Sequence, residues 1–139
     1  KKKTFSKNHY CHSKVFMTTF NDRISTSYEK LPLCNPDFIY LDGPDTNKIE
    51  GNVNGINIKH KDLMPMVNDI LKIEYFLTPG TIIVVDGRAS NTKFMLDNFK
   101  RKWLYKKISS LYDQHVLYLD DPSLGKYNDL QLKFYKKNI

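Results

Sequence analysis

Two short apolar runs, each stopped by Asp-Gly, constrain this chain more than any other feature. Phe38-Ile39-Tyr40-Leu41 ends at Asp42-Gly43-Pro44-Asp45, and Ile82-Ile83-Val84-Val85 ends at Asp86-Gly87-Arg88. Neither run alternates with polar residues, which is the pattern of strands covered on both faces, as in a parallel sheet. Between them, Leu63, Met66, Val67, Ile70, Leu71, Ile73, Phe76 and Leu77 give a broad apolar face and predict a helix over 63–77. Asp62 is the expected N-cap, and Pro65 is tolerated in the first turn. Strand, helix and strand in this order form a βαβ crossover, expected to be right-handed. In open parallel sheets, ligands bind beyond the carboxyl ends of the strands. The two Asp-Gly corners are therefore where chemistry is expected.

The 139 residues suffice for one domain or part of one. An apolar share of 40% supports a core and argues against general disorder. The net charge of +7 suggests an anionic partner, but lysines run along the whole sequence and the aromatics sit in apolar runs. A solvated basic surface is the reading, and nucleic acid is not the expected partner. Cys11 and Cys34 are too few for a disulfide framework and show no metal-binding spacing. Two free thiols fit a reducing cytoplasm. No run approaches the length of a membrane span, and no signal-peptide apolar region follows the first lysines. The chain begins with Lys, which reads as a processed, trimmed or partial sequence.

Residues 1–14 are basic and polar, a flexible start or an anion-binding arm ahead of a single domain at 15–139. Val15 to Phe20 has strand composition, and Asn21-Asp22 signals a turn. Residues 24–33 read as a short helical turn capped by Ser25 or Ser27 and ended by Pro32. Residues 46–61 form a surface insertion with a hairpin signal at Asn54-Gly55, either a lid over the strand ends or a structural flap. Ser90 or Asn91 caps a helix predicted over 92–102, whose terminal Lys100-Arg101-Lys102 complements the helix dipole. Residues 103–108 and 115–119 read as an antiparallel hairpin at one sheet edge, with His115 packed within it. Residues 130–135 fit a strand or a helical turn equally.

FIYLDGPD, a helix running into LTPG before a strand ending IIVVDGR, and a helix followed by an antiparallel hairpin together resemble the carboxyl-terminal half of the class I S-adenosylmethionine-dependent methyltransferases. The likeness covers residues 36–120 and is closest to the small-molecule O-methyltransferases. It also extends to a group of uncharacterised bacterial and viral methyltransferase-like proteins. The resemblance implies an α/β fold, a partial Rossmann-like sheet of parallel strands ending in an antiparallel hairpin. It lacks the first cofactor-binding strands, since no Gly-rich turn precedes residue 36. At best Val15–Phe20 is the third strand of that sheet. The chain then reads as a fragment or as a remnant with another role.

The resemblance also implies roles. Asp22, Ser27, Tyr28, Asp42 and Gly43 would lie beside S-adenosylmethionine. Asp42 and Asp86 would orient the acceptor, a small molecule or sugar. In metal-dependent members the same two positions hold Mg²⁺, but here Gly87 stands where a third ligand would be, with Asp45 as a substitute. Arg88 meets an anionic acceptor group or pairs with Asp86, and Asp45 is a further acceptor contact. His60 is a candidate general base. The rival readings are a non-catalytic Rossmann-like domain that binds a partner, a phosphate-ligand enzyme, and a binder of anionic surfaces. A sheet short of two strands exposes an edge, which favours homo-oligomers.

Overall fold

A computed structural model describes residues 8–59, 64, 66–109 and 111–138. The strands are β1 (Val15–Phe20), β2 (Arg23–Tyr28), β3 (Phe38–Leu41), β4 (Ile49–Glu50), β5 (Ile82–Asp86), β6 (Trp103–Ser109) and β7 (Gln114–Leu119). The helices are α1 (Asp69–Ile73), α2 (Ala89–Asn98) and α3 (Lys126–Asn138). The architecture is mixed α/β with two sheets, in the orders β3-β5-β7-β6 and β2-β1-β4.

In the main sheet β3 and β5 are parallel, with Phe38 opposite Ile82 and Leu41 opposite Val85. The pairing expected of the two apolar runs is present. Strand β7 runs antiparallel to both β5 and β6, so β6 points the same way as β3 and β5. The sheet is thus less parallel than the sequence predicts. The hairpin forms as expected, but its second strand is internal and β6 takes the edge.

One face of this sheet is covered along β5 and β7. Leu41, Ile83, Val85, Leu117 and Leu119 pack with Ile70 and Leu71 of α1 and Phe94 and Met95 of α2 into the main core. The other face is only partly covered. Phe38 is 57%, Tyr40 53%, Leu104 50% and Ile108 59% exposed, so the prediction of strands buried on both sides holds for one side. The third helix packs at Gly80, whose φ of +95° and close approach (an added Cβ would lie 2.8 Å from Leu132) both require glycine. Residues 130–135 therefore belong to a helix.

The second sheet corrects two expectations. Residues 23–28 are a strand and not a helical turn. Asn21 and Asp22, at φ 48° and 60°, form a two-residue turn of the left-handed kind that matches strand twist, and β1 and β2 pair in register across it. Val15–Phe20 is consequently not a strand of the main sheet. It lies between β2 and β4 over a small core of Val15, Met17 and Ile49. Residues 46–58 are the flap of the two options. Ile49, Val53 and Ile58 are tied into that small core, and Val53 bridges Ile56 across Asn54-Gly55.

The first helix starts at Asp69, later than the apolar periodicity predicts. Thr26 N donates to Met66 O at 2.8 Å and Asn68 N to Thr26 O at 3.0 Å. Met66 and Val67 are held beside β2 by this pairing, with Val67 bridging Thr26 and Asn68 already turning into α1, and backbone bonds of that kind override an apolar pattern that a helix would also satisfy. Residues 60–63 and 65, which include His60, Asp62, Leu63 and Pro65, lie outside the described residues. The second helix spans Ala89–Asn98 and not 92–102. Arg101 is no dipole cation. It donates through Nη1 to Glu74 O and Leu77 O, at 2.8 and 2.5 Å.

Candidate functional site

The register of β3 and β5 sets the site. With Leu41 opposite Val85, the next residues, Asp42 just past β3 and Asp86 as the last residue of β5, follow in the same register at the carboxyl end of the pair. The Tyr40 hydroxyl, one residue before the end of β3, donates to Asp86 Oδ2. That bond raises the Tyr40 phenol above its usual 10.0, since the proton is shared with a carboxylate. Arg88 Nη2 lies 3.5 Å from the Asp42 carbonyl oxygen. The two strand ends are thus cross-linked in both directions, Tyr40 to Asp86 and Arg88 to Asp42.

Tyr28, at the end of β2, brings the second sheet to the same place. The buried Asp69 carboxylate accepts from Ser27 Oγ at 2.8 Å and Tyr28 N at 3.0 Å. This bond fixes the end of β2 against the start of α1. An added Cβ at Gly43 would stand 3.1 Å from Tyr28 Oη, so the glycine admits the phenol. Burial, then the Asp69 charge, raises the Tyr28 pKa above 10.0. The phenol is a proton donor at neutral pH.

A cleft of about 540 Å³ opens here, within the size range of ligand pockets. Tyr28, Asp42, Gly43 and Asp45 line it together with Lys14 and Lys48. Lys48 pairs with Asp45 at 3.2 Å, and Lys14 pairs with Glu50 at 3.1 Å. Asp42 has no ion pair among the described residues, and its side chain is exposed. It is the carboxylate left available to a ligand.

The structure therefore gathers Tyr28, Asp42, Gly43, Asp45, Asp86 and Arg88 at one end of the molecule, and separates two other predicted residues from them. Asp22 sits at the far end of the β1–β2 hairpin, beside Asn21, whose Nδ2 donates to Asn98 Oδ1 at the end of α2. A six-residue strand keeps Asp22 from the cleft. Ser27 is near it, but its hydroxyl is committed to Asp69 and accepts from Lys72 Nζ at 2.6 Å. His60 lies outside the described residues. Arg88 forms no ion pair with Asp86 among the described residues; its Nη2 is directed at the Asp42 carbonyl oxygen instead.

Two features went unseen in the sequence. Asp113, His115 and Tyr105 form a chain. His115 Nε2 is 3.1 Å from Asp113 Oδ1, and Nδ1 is 2.9 Å from Tyr105 Oη. With Nε2–H donating to the carboxylate, Nδ1 accepts from the phenol. The second is Asn91, 1% exposed, whose Oδ1 accepts from Val67 N at 3.0 Å. The Asp-x-His spacing at a turn was a signal for the first. Nothing in the sequence marked the second.

Among the described residues no three His, Cys, Asp or Glu side chains are placed to hold a metal ion. Asp42 and Asp86 alone fall short of the oxygen set that a hard divalent cation takes. No helix among the described residues is long and apolar enough to cross a membrane. Comparison with protein-family models, with curated proteins and with solved structures finds no match to this chain.

Proposed function

We propose that this chain forms the acceptor-side half of an S-adenosylmethionine-dependent methyltransferase and orients a small-molecule or sugar acceptor for methyl transfer. The observation that carries the reading is the pair Asp42 and Asp86 at the ends of adjacent parallel strands, in a sheet continued by a helix and an antiparallel hairpin. The roomy cleft at Gly43 fits the cofactor in part. Tyr28, Asp42 and Gly43 would hold it, and when bound it supplies the electrophilic methyl group. The chain's own work is proximity and orientation. Asp42 accepts a hydrogen bond from an acceptor hydroxyl and takes its proton. Asp86, held by Tyr40, fixes the neighbouring strand end.

Calorimetry with S-adenosylmethionine and its demethylated product, on this chain and on any longer native form, tests the reading. Saturable binding is expected in at least one form. Asp42→Asn is then expected to lower transfer on the order of a hundredfold, the usual worth of a positioned general base. Binding by neither form overturns the proposal.

The partly bare sheet face favours a second reading, a non-catalytic domain that docks a partner there. Phe38, Tyr40, Leu104 and Ile108 spread exposed apolar surface across one side, and β3 is an edge strand of its sheet. Loss of self-association or of partner binding in Phe38→Lys, together with no cofactor binding, selects it.

A further inference from the structure

We infer that the cleft at the amino end of α2 is an oxyanion site, which takes a phosphate or carboxylate group of the ligand. As a statement about the methyl acceptor this rests on the reading above. The site itself does not.

The cleft measures about 190 Å³, and Gly87, Arg88, Ser90, Asn91 and Asp113 line it with Met64. That is several water volumes, ample for one oxyanion group. Three independent observations converge on it. First, α2 begins with no side-chain cap and no acidic residue in its first turn. Its leading amide protons and the positive end of the helix dipole are left for an anion. Second, the Asn91 amide is fixed. Its oxygen accepts from the buried Val67 N, so the Nδ2 group is a donor in a set orientation, yet it is buried and has no partner among the described residues. Buried unpaired donors are rare in folded proteins and each calls for an explanation. Third, among the described residues Arg88 Nε is likewise buried without a partner, and the guanidinium has no carboxylate partner. A fixed amide, a guanidinium Nε and the leading helix amides are donors left without an acceptor among the described residues, while Arg88 Nη2 reaches the Asp42 carbonyl oxygen.

Asp113 also faces this cleft, and its charge is already used. Lys107 Nζ lies 2.9 Å from its Oδ1, and His115 Nε2 lies 3.1 Å from the same atom. Gly87, at φ +63°, turns the chain tightly from β5 into α2 and donates its N–H to the Asp113 carbonyl at 3.2 Å. The turn puts Arg88 between Asp42 and the helix start, so an anion held here would sit within reach of the strand-end carboxylates.

The test is an amide-resolved NMR titration with inorganic phosphate, repeated with acetate, both at constant ionic strength. Saturable shifts are expected in the backbone amides of 88–92 and in the Asn91 side-chain amide. The stronger of the two probes names the ligand class. Arg88→Gln should weaken the phosphate response at least tenfold. Ser90→Asp, which places a carboxylate at an exposed helix start and favours the helix, should abolish it with no loss of thermal stability. Asn91→Asp keeps the acceptor for Val67 N and removes the donor, and should also abolish it. An absence of shifts at 88–92 overturns the site, as does equal binding in Arg88→Gln and Ser90→Asp. Phosphate binding without S-adenosylmethionine binding leaves the site standing and removes methyl transfer as its purpose. Cofactor binding without phosphate or acetate binding does the reverse.

Discussion

Glu74 is the side chain whose loss the fold should feel most. It is 2% exposed, at the start of the short helical segment that follows α1. Its Oε1 accepts from Arg101 N at 2.8 Å, Lys100 N at 3.0 Å and Trp103 Nε1 at 3.0 Å. Its backbone oxygen accepts from Arg101 Nη1, and Arg101 in turn meets Asp121 at 2.6 Å. This one carboxylate therefore clamps the link between α2 and β6 against α1. Glu74→Ala leaves three donors without their acceptor. Each orphaned buried group costs about 1–3 kcal/mol, and losses within one network overlap, so the total should fall at about 3–5 kcal/mol. Glu74→Gln retains an oxygen for Arg101 N and Trp103 Nε1. It loses the charge and turns an amide nitrogen toward Lys100 N, a loss of about 1–2 kcal/mol. Urea unfolding followed by Trp103 fluorescence reads the difference. With a slope of about 2 kcal/mol per molar, Glu74→Ala should lower the midpoint by roughly 2 M and Glu74→Gln by under 1 M. The reasoning fails if Glu74→Ala stays within about 1 kcal/mol of the parent, or if the two variants are equally damaged.

Gly80→Ala should destabilise by about 1–3 kcal/mol, since it combines a strained φ with a clash on Leu132, and circular dichroism should show α3 lost first. The Lys102–Asp120 pair gives a pH signature at both extremes. Asp120 is held below its usual 3.8 by Lys102, so its stabilisation is complete above that value and lost as pH falls through the lowered one. Lys102 is raised above 10.5 by Asp120, so its stabilisation is complete below 10.5 and lost as pH rises through the raised one. Lys102→Met should flatten the stability profile at both ends, and an unchanged profile counts against the pair. Asp86→Asn should bring the Tyr40 phenol back toward 10.0. Ultraviolet titration of Asp86→Asn against a Tyr40→Phe control checks this, and an unmoved phenol would refute the bond.

What could be read from sequence followed from local rules. The apolar runs at 38–41 and 82–85 became β3 and β5 because short unbroken runs bounded by Asp-Gly admit little else. Asn54-Gly55 made its turn. The hairpin at 103–119 followed from its spacing. Long-range pairing defeated the rest. Met66 and Val67 carry a helical pattern but pair with β2 because Thr26, forty positions before Met66 in the chain, offers backbone partners. Ser25 and Ser27 resemble helix caps, yet the left-handed pair Asn21-Asp22 folds them back as a strand. At the site, Asp42 and Asp86 were visible as strand-end residues. The Asn91 Nδ2 and Arg88 Nε donors, without partners among the described residues, arise only when β5, α2 and the 66–68 segment meet in space.

The parallel pairing of β3 with β5 also has a kinetic consequence. Ser109 and Gln114 pair across a four-residue connection, whereas Phe38 must find Ile82 across a segment about ten times longer. Closing the longer loop carries roughly 2 kcal/mol more entropy. The β6–β7 hairpin should therefore zip early and add to β5, with β3 docking late. Asp42 rides on β3 and Asp86 on β5, so the two carboxylates become neighbours only in this last closure. A chain caught partway would hold a helix-backed sheet and no working site. Exchange protection of the β3 amides should thus appear together with ligand competence.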